Sequence, residues 1–331
     1  MQSLLHIGMP KCMSTSIQAW LREAEDAYFM GIGPSKHMKT EVLEAFQRQI
    51  LRTPTQFYDS QSVGKTFARE RAAAAQRGSK LFAFSDESIP FPLGYARADV
   101  SYVERLLRLR EVMPDGTHVL MIVRRPEDYL KSTYKYRTVM NGMNFTFDEY
   151  VRRLILLGDT YSLGTVKFYH YAEAARRIFG NCRVLAMEDI EDDPDCLLSW
   201  LREMGADGAD ALPRENKGLP GETIENFRHL YGALGISMSD DDFNVMTPAE
   251  RRICKETRPF LDSTLATVLA KEQILGNLRE FAQQLPLHRD PMTFHMADQT
   301  RKFLADYVAQ SNELLQREFG VATDDYNYGL F

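Results

Sequence analysis

The sequence predicts an α/β fold of three layers, with helices on both faces of a mainly parallel central sheet. Apolar runs of strand length occur at 3–7, 80–85, 118–123 and 182–187, and segments with helical spacing of apolar residues separate them. These runs are almost continuously apolar, as expected for parallel strands that are covered on both faces. Strands that alternate with helices favour parallel pairing through right-handed crossovers.

Composition limits the classes of function. The chain has 331 residues, is 44% hydrophobic and carries a net charge of −6, so it can bury a large core but has no overall basic field for nucleic acid. Its four cysteines lack the spacing of a metal site or a disulfide framework, which indicates reduced thiols. The N-terminal apolar run is too short for a signal peptide, and no run is long enough to span a membrane. We therefore expect a cytoplasmic protein whose anion sites are built locally.

The domain organisation follows from where recognisable motifs stop. Residues 1–220 contain the strand–helix alternation and are predicted to form the core. Residues 221–331 are mostly helical by pattern, with an N-terminal helix signature at 247–250, and are predicted to be an added helical part of the same domain.

The first twenty residues have the layout of a phosphate-binding turn. A strand at 3–7 runs into the polar loop 8–16, and a helix follows in which Ile17, Trp20 and Leu21 share one face. Amides at a helix start lack internal partners, and the helix dipole adds partial positive charge there. The loop therefore predicts an anion cradle, with an ordinary strand-to-helix turn as the alternative.

This loop departs from a Walker A motif. Counted from Gly8, the second glycine position holds Met13, the lysine position holds Ser14, and the lysine stands earlier, at Lys11. A nucleoside triphosphatase needs its lysine on the β- and γ-phosphates and its hydroxyl on magnesium. The loop therefore favours a shorter phosphate chain.

Acidic residues follow the strand at 80–85. Asp86 and Glu87 stand at the predicted carboxyl end of a parallel strand, where ligands bind in open α/β sheets. They are candidates for proton transfer. The alternative is that one of them caps the turn that follows.

A basic residue follows the strand at 118–123. Arg124 precedes Pro126, which suits the first turn of a helix, and Ser132 lies eight residues after Arg124 on that helix. A guanidinium pairs bidentately with phosphate, and a hydroxyl adds one more donor. A later basic cluster, Arg214 to Gly218, lies in a loop that contains proline and glycine.

Together these segments resemble the sulfotransferase superfamily. Its first motif is roughly P-K-[SC]-G-[ST]-T, which residues 10–15 match at all positions but Met13. Its second signature, R-x-P-x-x-x-x-x-S, is similar to the segment from Arg124 to Ser132, and its late R-x-N-x-[SG] loop is similar to 214–218.

The resemblance implies a donor, 3′-phosphoadenosine 5′-phosphosulfate, with adenosine 3′,5′-bisphosphate as product and no metal. It implies that Lys11 stabilises the leaving oxygen and that Glu87, or secondly Asp86, takes the acceptor's proton. The acceptor is expected to be a hydroxyl of a saccharide or small metabolite. The implied donor-binding residues are Pro10, Lys11, Cys12, Met13, Ser14, Thr15 and Ser16 at the 5′ side, with Arg124, Ser132, Arg214, Lys217 and Gly218 at the 3′-phosphate.

Two other classes of function stay open at this point. A P-loop kinase acting on a small molecule or nucleotide would turn over ATP with magnesium. A non-catalytic module would bind adenosine 3′,5′-bisphosphate and transfer nothing.

Overall fold

The computed structural model describes residues 1–31, 40–90, 100–141, 143, 145–157, 164–213, 224, 228 and 294–328. The chain divides into two compact units. The first comprises Met1–Arg125, Lys167–Lys217 and Val308–Leu330, and the second comprises Pro126–Val166, Gly218–Tyr307 and Phe331. The boundary at residue 220 between a core and a helical extension stays a prediction.

The first unit contains a five-stranded sheet in which every pair of neighbouring strands is parallel. Helices flank it, so the predicted α/β class is confirmed. The spatial order is β2-β3-β1-β4-β5, which places β1 at the centre. The strands are β1 Gln2–Ile7, β2 Ala27–Gly31, β3 Leu81–Asp86, β4 His118–Val123 and β5 Arg183–Ala186.

Strand β2 was not among the predicted strands. It lies at the sheet edge beside β3, with Tyr28 and Met30 buried and the other three residues of the strand only half-buried. Residues 27–30 form an apolar run of four, which is short and follows closely on the amphipathic helix Ser14–Glu23, so the sequence pattern did not separate it from that helix.

The spacing of apolar residues predicted helices at 41–51 and 67–77, and the observed helices differ from both, whereas the helix Tyr102–Val112 was not predicted. Helix α3 begins earlier than its apolar stripe because the Asp59 carboxylate caps it, accepting the Ser62 amide at 3.0 Å. Helix α2 continues as a π-helix at Glu44–Ile50. The described helices are α1 Ser14–Glu23, α2 Thr40–Leu43, α3 Ser60–Gln76, α4 Tyr102–Val112, α5 Pro126–Asn141, α6 Phe147–Leu157, α7 Phe168–Phe179, α8 Met187–Asp192, α9 Asp195–Glu203 and α10 Asp298–Phe319, with short 3₁₀ turns at Thr55–Phe57 and Gly164–Val166.

The core of the first unit lies on the faces of the sheet. Phe84 of β3 meets Phe46 edge-on at a ring-centroid distance of 4.8 Å and Phe67 at 5.5 Å, and all three are buried. Such edge-to-face pairs add to the apolar area that they remove from water. This packing anchors α3 and the π-helix to β3, whose carboxyl end carries two candidate site residues.

The second unit contains α5 and α6. Tyr134, Phe147 and Phe294 form an aromatic cluster in which Phe147 lies 5.5 Å from each of the other two rings. The Lys135 ammonium lies 4.9 Å from the Phe294 ring centroid. Within the described ranges, no helix is long and apolar enough to cross a membrane.

Candidate functional site

The predicted site residues of the first unit that the structure describes lie at the carboxyl ends of the strands. The register pairs Ile7 of β1 with Asp86 and with Met121, and pairs Val123 of β4 with Ala186. The segments that follow β1, β3, β4 and β5 therefore all begin at the same end of the sheet, where the parallel strands terminate. In open α/β sheets the ligand-binding crevice lies outside the carboxyl ends of the strands, at the point where the strand order reverses.

The backbone of the first loop alternates between left-handed and right-handed conformations. Lys11 has φ +62° and Met13 has φ +61°, whereas Cys12 between them does not have a positive φ. Met13 is also the N-cap of α1, with ψ 10°. Alternation of this kind points successive amide N–H groups into one concavity, which binds anions. Two non-glycine residues in this region store strain, as is common at functional sites.

The start of α1 supplies further donors to the same loop. The Ile17 amide bonds to the Met13 carbonyl at 3.1 Å, so the helical ladder begins there and the preceding amides, those of residues 14–16, come before it. The hydroxyls of Thr15 and Ser16 are half-buried and bond to no side chain among the residues described. These groups and the helix dipole favour an anion at this position.

Glu87 contacts the loop directly. The buried Ser14 hydroxyl donates a hydrogen bond to Glu87 Oε1. Gly8 allows this approach, since a Cβ there would lie 3.3 Å from both Cα and Cγ of Glu87. The structure thus shows the Ser14 hydroxyl bonded to a carboxylate. Its predicted role in binding a phosphate stays a prediction.

Lys11 lies close enough to Glu87 for the two charges to interact. Burial lowers the pKa of the Lys11 ammonium below its ordinary value of 10.5, and the Glu87 carboxylate opposes that shift. An ammonium that has lost part of its hydration interacts more strongly with a developing negative charge than one in water. The loop therefore places a partly desolvated cation next to a carboxylate.

Asp86 forms the turn that follows β3. It is 3% exposed, and its Oδ1 accepts the Ser88 amide at 2.6 Å. Burial raises the pKa of Asp86 to about 7, against the lowering effect of the bonds from Ser88. Asp86 therefore caps the turn after β3, which was the alternative to its role in proton transfer. The capped turn orients Glu87, the next residue.

The raised pKa predicts how the stability of an Asp86→Asn variant depends on pH. The native carboxyl binds its proton more tightly than the unfolded one, so stability due to Asp86 falls as pH rises from about 4 to about 7. Asparagine has no such loss and still accepts the Ser88 amide. Urea unfolding at pH 5 and pH 8 should therefore show the variant gaining stability over the parent at pH 8.

A matched Asp115→Asn substitution, at an exposed carboxylate, corrects for the general effect of removing one negative charge. A difference in the free energy of unfolding between Asp86→Asn and the parent that is equal at both pH values would contradict the raised pKa of Asp86.

Arg124 extends from the end of β4 to the first loop. Its Nη1 donates to the Lys11 carbonyl at 3.2 Å, and its side chain is half-buried. No other bond joins this guanidinium to a described residue. Because a guanidinium has five N–H donors in a planar fork, the contact leaves donors directed elsewhere.

Cys12 is a structural member of the loop. It is fully buried, Pro10 of the same loop is also buried, and the Cys12 amide bonds to the Met9 carbonyl at 3.2 Å. Burial raises the pKa of the Cys12 thiol far above its ordinary value, with a smaller opposing effect from Arg124. The thiol therefore stays protonated and is not a nucleophile.

A buried polar cluster lies next to the loop. His6 Nδ1 is 2.8 Å from Ser85 Oγ, and Gln18 Nε2 donates to the same oxygen at 3.1 Å. Burial lowers the pKa of His6 to about 3, so the imidazole is neutral. The cluster joins β1, β3 and α1 next to the loop that follows β1, and sequence patterns alone did not point to it.

A contact between Tyr328 and Glu188, at the same end of the strands, was not predicted from the sequence. Tyr328 is fully buried, and its hydroxyl donates to Glu188 Oε2 at 2.9 Å. The other oxygen of Glu188 accepts the Arg125 amide at 2.9 Å. Tyr328 lies 140 residues after Glu188 in the chain, so no local pattern could have connected them.

The residues predicted to bind the 3′-phosphate together with Arg124 are either in the second unit or outside the described residues. Ser132 is half-buried on α5, in the second unit, and its role at a phosphate stays a prediction. Arg214, Lys217 and Gly218 lie outside the described residues. Among the residues described, no group of three or more His, Cys, Asp or Glu could hold a metal ion.

The strained N-cap yields a prediction about stability. At φ +61°, glycine relieves a cost of about 1–2 kcal/mol that methionine bears, less the extra chain entropy that glycine loses on folding. Met13→Gly should therefore leave the free energy of unfolding unchanged or raise it by about 1 kcal/mol in urea unfolding.

Ser16→Gly is the matched control, because Ser16 has an ordinary helical φ and should lose about 0.5 kcal/mol. If Met13→Gly lowers the free energy of unfolding as much as Ser16→Gly does, the backbone at Met13 is not strained.

Comparison with solved structures identifies a relative in fold. The chain is similar to a sulfotransferase from Alicyclobacillus acidocaldarius, with 13% sequence identity, a TM-score of 0.51 and 99% of each chain covered. No family model and no curated protein matches the sequence. The likeness extends over the whole chain and supports the α/β architecture described above.

Proposed function

We propose that this protein is a sulfotransferase that uses 3′-phosphoadenosine 5′-phosphosulfate as donor. The observation that carries the proposal is the contact between the Arg124 guanidinium and the Lys11 carbonyl, which brings the two basic motifs together at one loop. The fold similarity to a sulfotransferase is consistent with it. An acceptor hydroxyl on a saccharide or small metabolite completes the proposed reaction.

The residues present fit a nucleotide with short phosphate groups. The alternating backbone of residues 11–13 and the amides of 14–16 form a cradle for a 5′-phosphate, with the hydroxyls of Thr15 and Ser16 beside it. Arg124 supplies donors for the 3′-phosphate, and Ser132, Arg214, Lys217 and Gly218 are proposed to join it there. The donor, when bound, supplies the sulfuryl group.

Lys11 is proposed to stabilise negative charge on the oxygen that leaves the sulfur. By analogy with phosphoryl transfer, a loose in-line transition state places charge on that oxygen and needs little covalent help. The partial desolvation of Lys11 strengthens this electrostatic contribution, and its position in the loop keeps it fixed.

Glu87 is proposed as the general base. One of its oxygens accepts the Ser14 hydroxyl, which fixes the carboxylate at the edge of the loop, and the other oxygen bonds to no described residue. A base must lie within hydrogen-bond reach of the proton that it removes. Asp86, the second candidate, is buried and bonded to Ser88, so we assign it to holding the turn that orients Glu87.

The kinase alternative fits less well. The lysine of a nucleoside triphosphatase follows the second glycine of its loop, whereas Lys11 precedes Met13 and has its own left-handed conformation. The order of the lysine and the hydroxyls in this loop therefore departs from the order that a nucleoside triphosphatase needs.

Calorimetric titration with three nucleotides tests the proposal. We expect adenosine 3′,5′-bisphosphate to bind more tightly than adenosine 5′-monophosphate, without magnesium, and more tightly than magnesium-ATP. A ³⁵S-labelled donor is then incubated with a panel of saccharides and hydroxylated metabolites, and transfer to at least one of them is expected.

Magnesium-dependent ATP turnover would favour a kinase instead. Tight binding of the bisphosphate with no transfer to any acceptor would favour a binding module. Absence of any preference for the bisphosphate over the monophosphate would overturn the proposal.

A further inference from the structure

The last described residues of the chain insert a side chain into the first unit. Helix α10 is followed by a turn that begins at Gly320, with φ +71°, and residues 324–327 are exposed or half-buried while Tyr328 is fully buried. Asn312 Nδ2 donates to the Tyr328 carbonyl at 3.1 Å, and the Tyr328 amide donates to the Thr323 carbonyl at 2.9 Å. The backbone of this residue is therefore fixed to α10 and to its own turn.

The Tyr328 hydroxyl reaches the candidate site through a single carboxylate. It donates to Glu188 Oε2 at 2.9 Å, and Glu188 Oε1 accepts the Arg125 amide at 2.9 Å. Arg125 directly follows Arg124, whose guanidinium bonds to the Lys11 carbonyl. Two hydrogen bonds thus connect the C-terminal turn to the Arg125 amide, and the peptide bond before that amide leads to Arg124 at the end of β4.

The phenol is suited to act as a permanent donor. Burial, together with the Glu188 carboxylate, raises the pKa of Tyr328 well above its ordinary value, so it keeps its proton. Hydrogen bonds to a charged acceptor are shorter and stronger than those between neutral groups. With both oxygens engaged, the Glu188 carboxylate has one orientation, and the amide that follows Arg124 is held in place.

We propose that Tyr328 is a positioning residue for Arg124: through Glu188 it fixes the backbone at the end of β4 and thereby the guanidinium that recognises the 3′-phosphate. The inference rests on the proposed function. It assigns to the C-terminal turn a role in distinguishing a 3′-phosphorylated nucleotide from one without that group. Tyr328 touches no reacting atom in this role.

The test compares two phenols of the same turn. Tyr328→Phe keeps the buried ring and removes only the hydroxyl. Tyr326→Phe is the matched control, because its hydroxyl also donates to a carboxylate of α8, that of Asp192 at 3.2 Å, but outside the path to Arg125. Dissociation constants for adenosine 3′,5′-bisphosphate and for adenosine 5′-monophosphate are measured for both variants and for the parent protein.

We expect Tyr328→Phe to reduce the preference for the bisphosphate by roughly threefold to tenfold, since only part of a charge-assisted hydrogen bond is transmitted to the guanidinium. Tyr326→Phe should leave the preference unchanged. The ratio of the two constants is the readout, because a general loosening of the fold weakens both ligands equally.

Three outcomes separate the possibilities. A parent protein without any preference for the bisphosphate overturns the proposed function together with this inference. A parent preference that Tyr328→Phe retains, or an equal loss for both ligands, overturns the inference alone. Should Tyr328→Phe fold poorly, Glu188→Gln interrupts the same path with a side chain of the same shape, and an unchanged preference in that variant also overturns it.

Discussion

Replacement of Lys11 by methionine should lower the rate of sulfuryl transfer by about a thousandfold while the protein stays folded. Removal of one preorganised group that stabilises developing charge costs about 10²–10³ in rate, and a partly desolvated ammonium lies at the upper end of that range. Methionine has a side chain of similar length and bears the same backbone cost at φ +62°. The variant therefore isolates the loss of charge.

The measurement is the initial rate with labelled donor, together with the affinity for adenosine 3′,5′-bisphosphate. Lys65→Met, at an exposed position of α3, is the control and should keep the parent rate. We expect the affinity for the product to fall much less than the rate, since the charge on the leaving oxygen develops during transfer. A Lys11→Met rate within tenfold of the parent would remove Lys11 from the proposed mechanism.

Replacement of Arg108 by leucine should lower the free energy of unfolding by about 3–5 kcal/mol. This arginine of α4 is 1% exposed, and its guanidinium lies 4.3 Å from the Tyr58 ring centroid. Its Nη1 donates to the carbonyls of Gln49 at 2.8 Å and Thr53 at 2.7 Å, where the π-helix ends and the next loop begins. Without the guanidinium these carbonyls lose their partner in a partly buried region.

Arg110→Leu on the same helix is the matched control. Arg110 pairs with the exposed Asp115 carboxylate at 2.8 Å, and surface pairs of this kind contribute about 0–1 kcal/mol. Urea unfolding of both variants at neutral pH gives the comparison. Equal losses in the two variants would show that the buried bonds of Arg108 add nothing to stability.

The central strands were predictable because each is a nearly continuous apolar run. Strand β4 was predicted at its observed bounds, and β1, β3 and β5 within a residue or so of theirs. The short edge strand β2, although residues 27–30 are also an apolar run, and the π-helical form of the segment after Leu43 were not predicted. Both depend on what lies beside them, since an edge strand is defined by its neighbour and a π-turn by packing that favours one extra residue.

The candidate site was predicted as a set of motifs, and the structure adds the contacts among some of them. Sequence placed Lys11, Glu87 and Arg124 at strand ends. Only the folded chain shows Ser14 bonded to Glu87 and Arg124 bonded to the Lys11 carbonyl. Met13, which stands where the motif that the loop resembles has glycine, adopts a left-handed conformation at the turn into α1.

The sequence by itself determined the α/β class and the location of a basic, hydroxyl-rich loop at the start of the first helix, since periodicity and strand-end chemistry are local properties of the chain. The tertiary structure alone decided which distant groups meet: the buried His6 cluster next to the loop, the fixation of the π-helix by Arg108, and the contact of Tyr328 with Glu188. The physical reason is that a buried polar group needs a hydrogen-bond partner from wherever the fold supplies one, and that partner has no fixed separation along the chain.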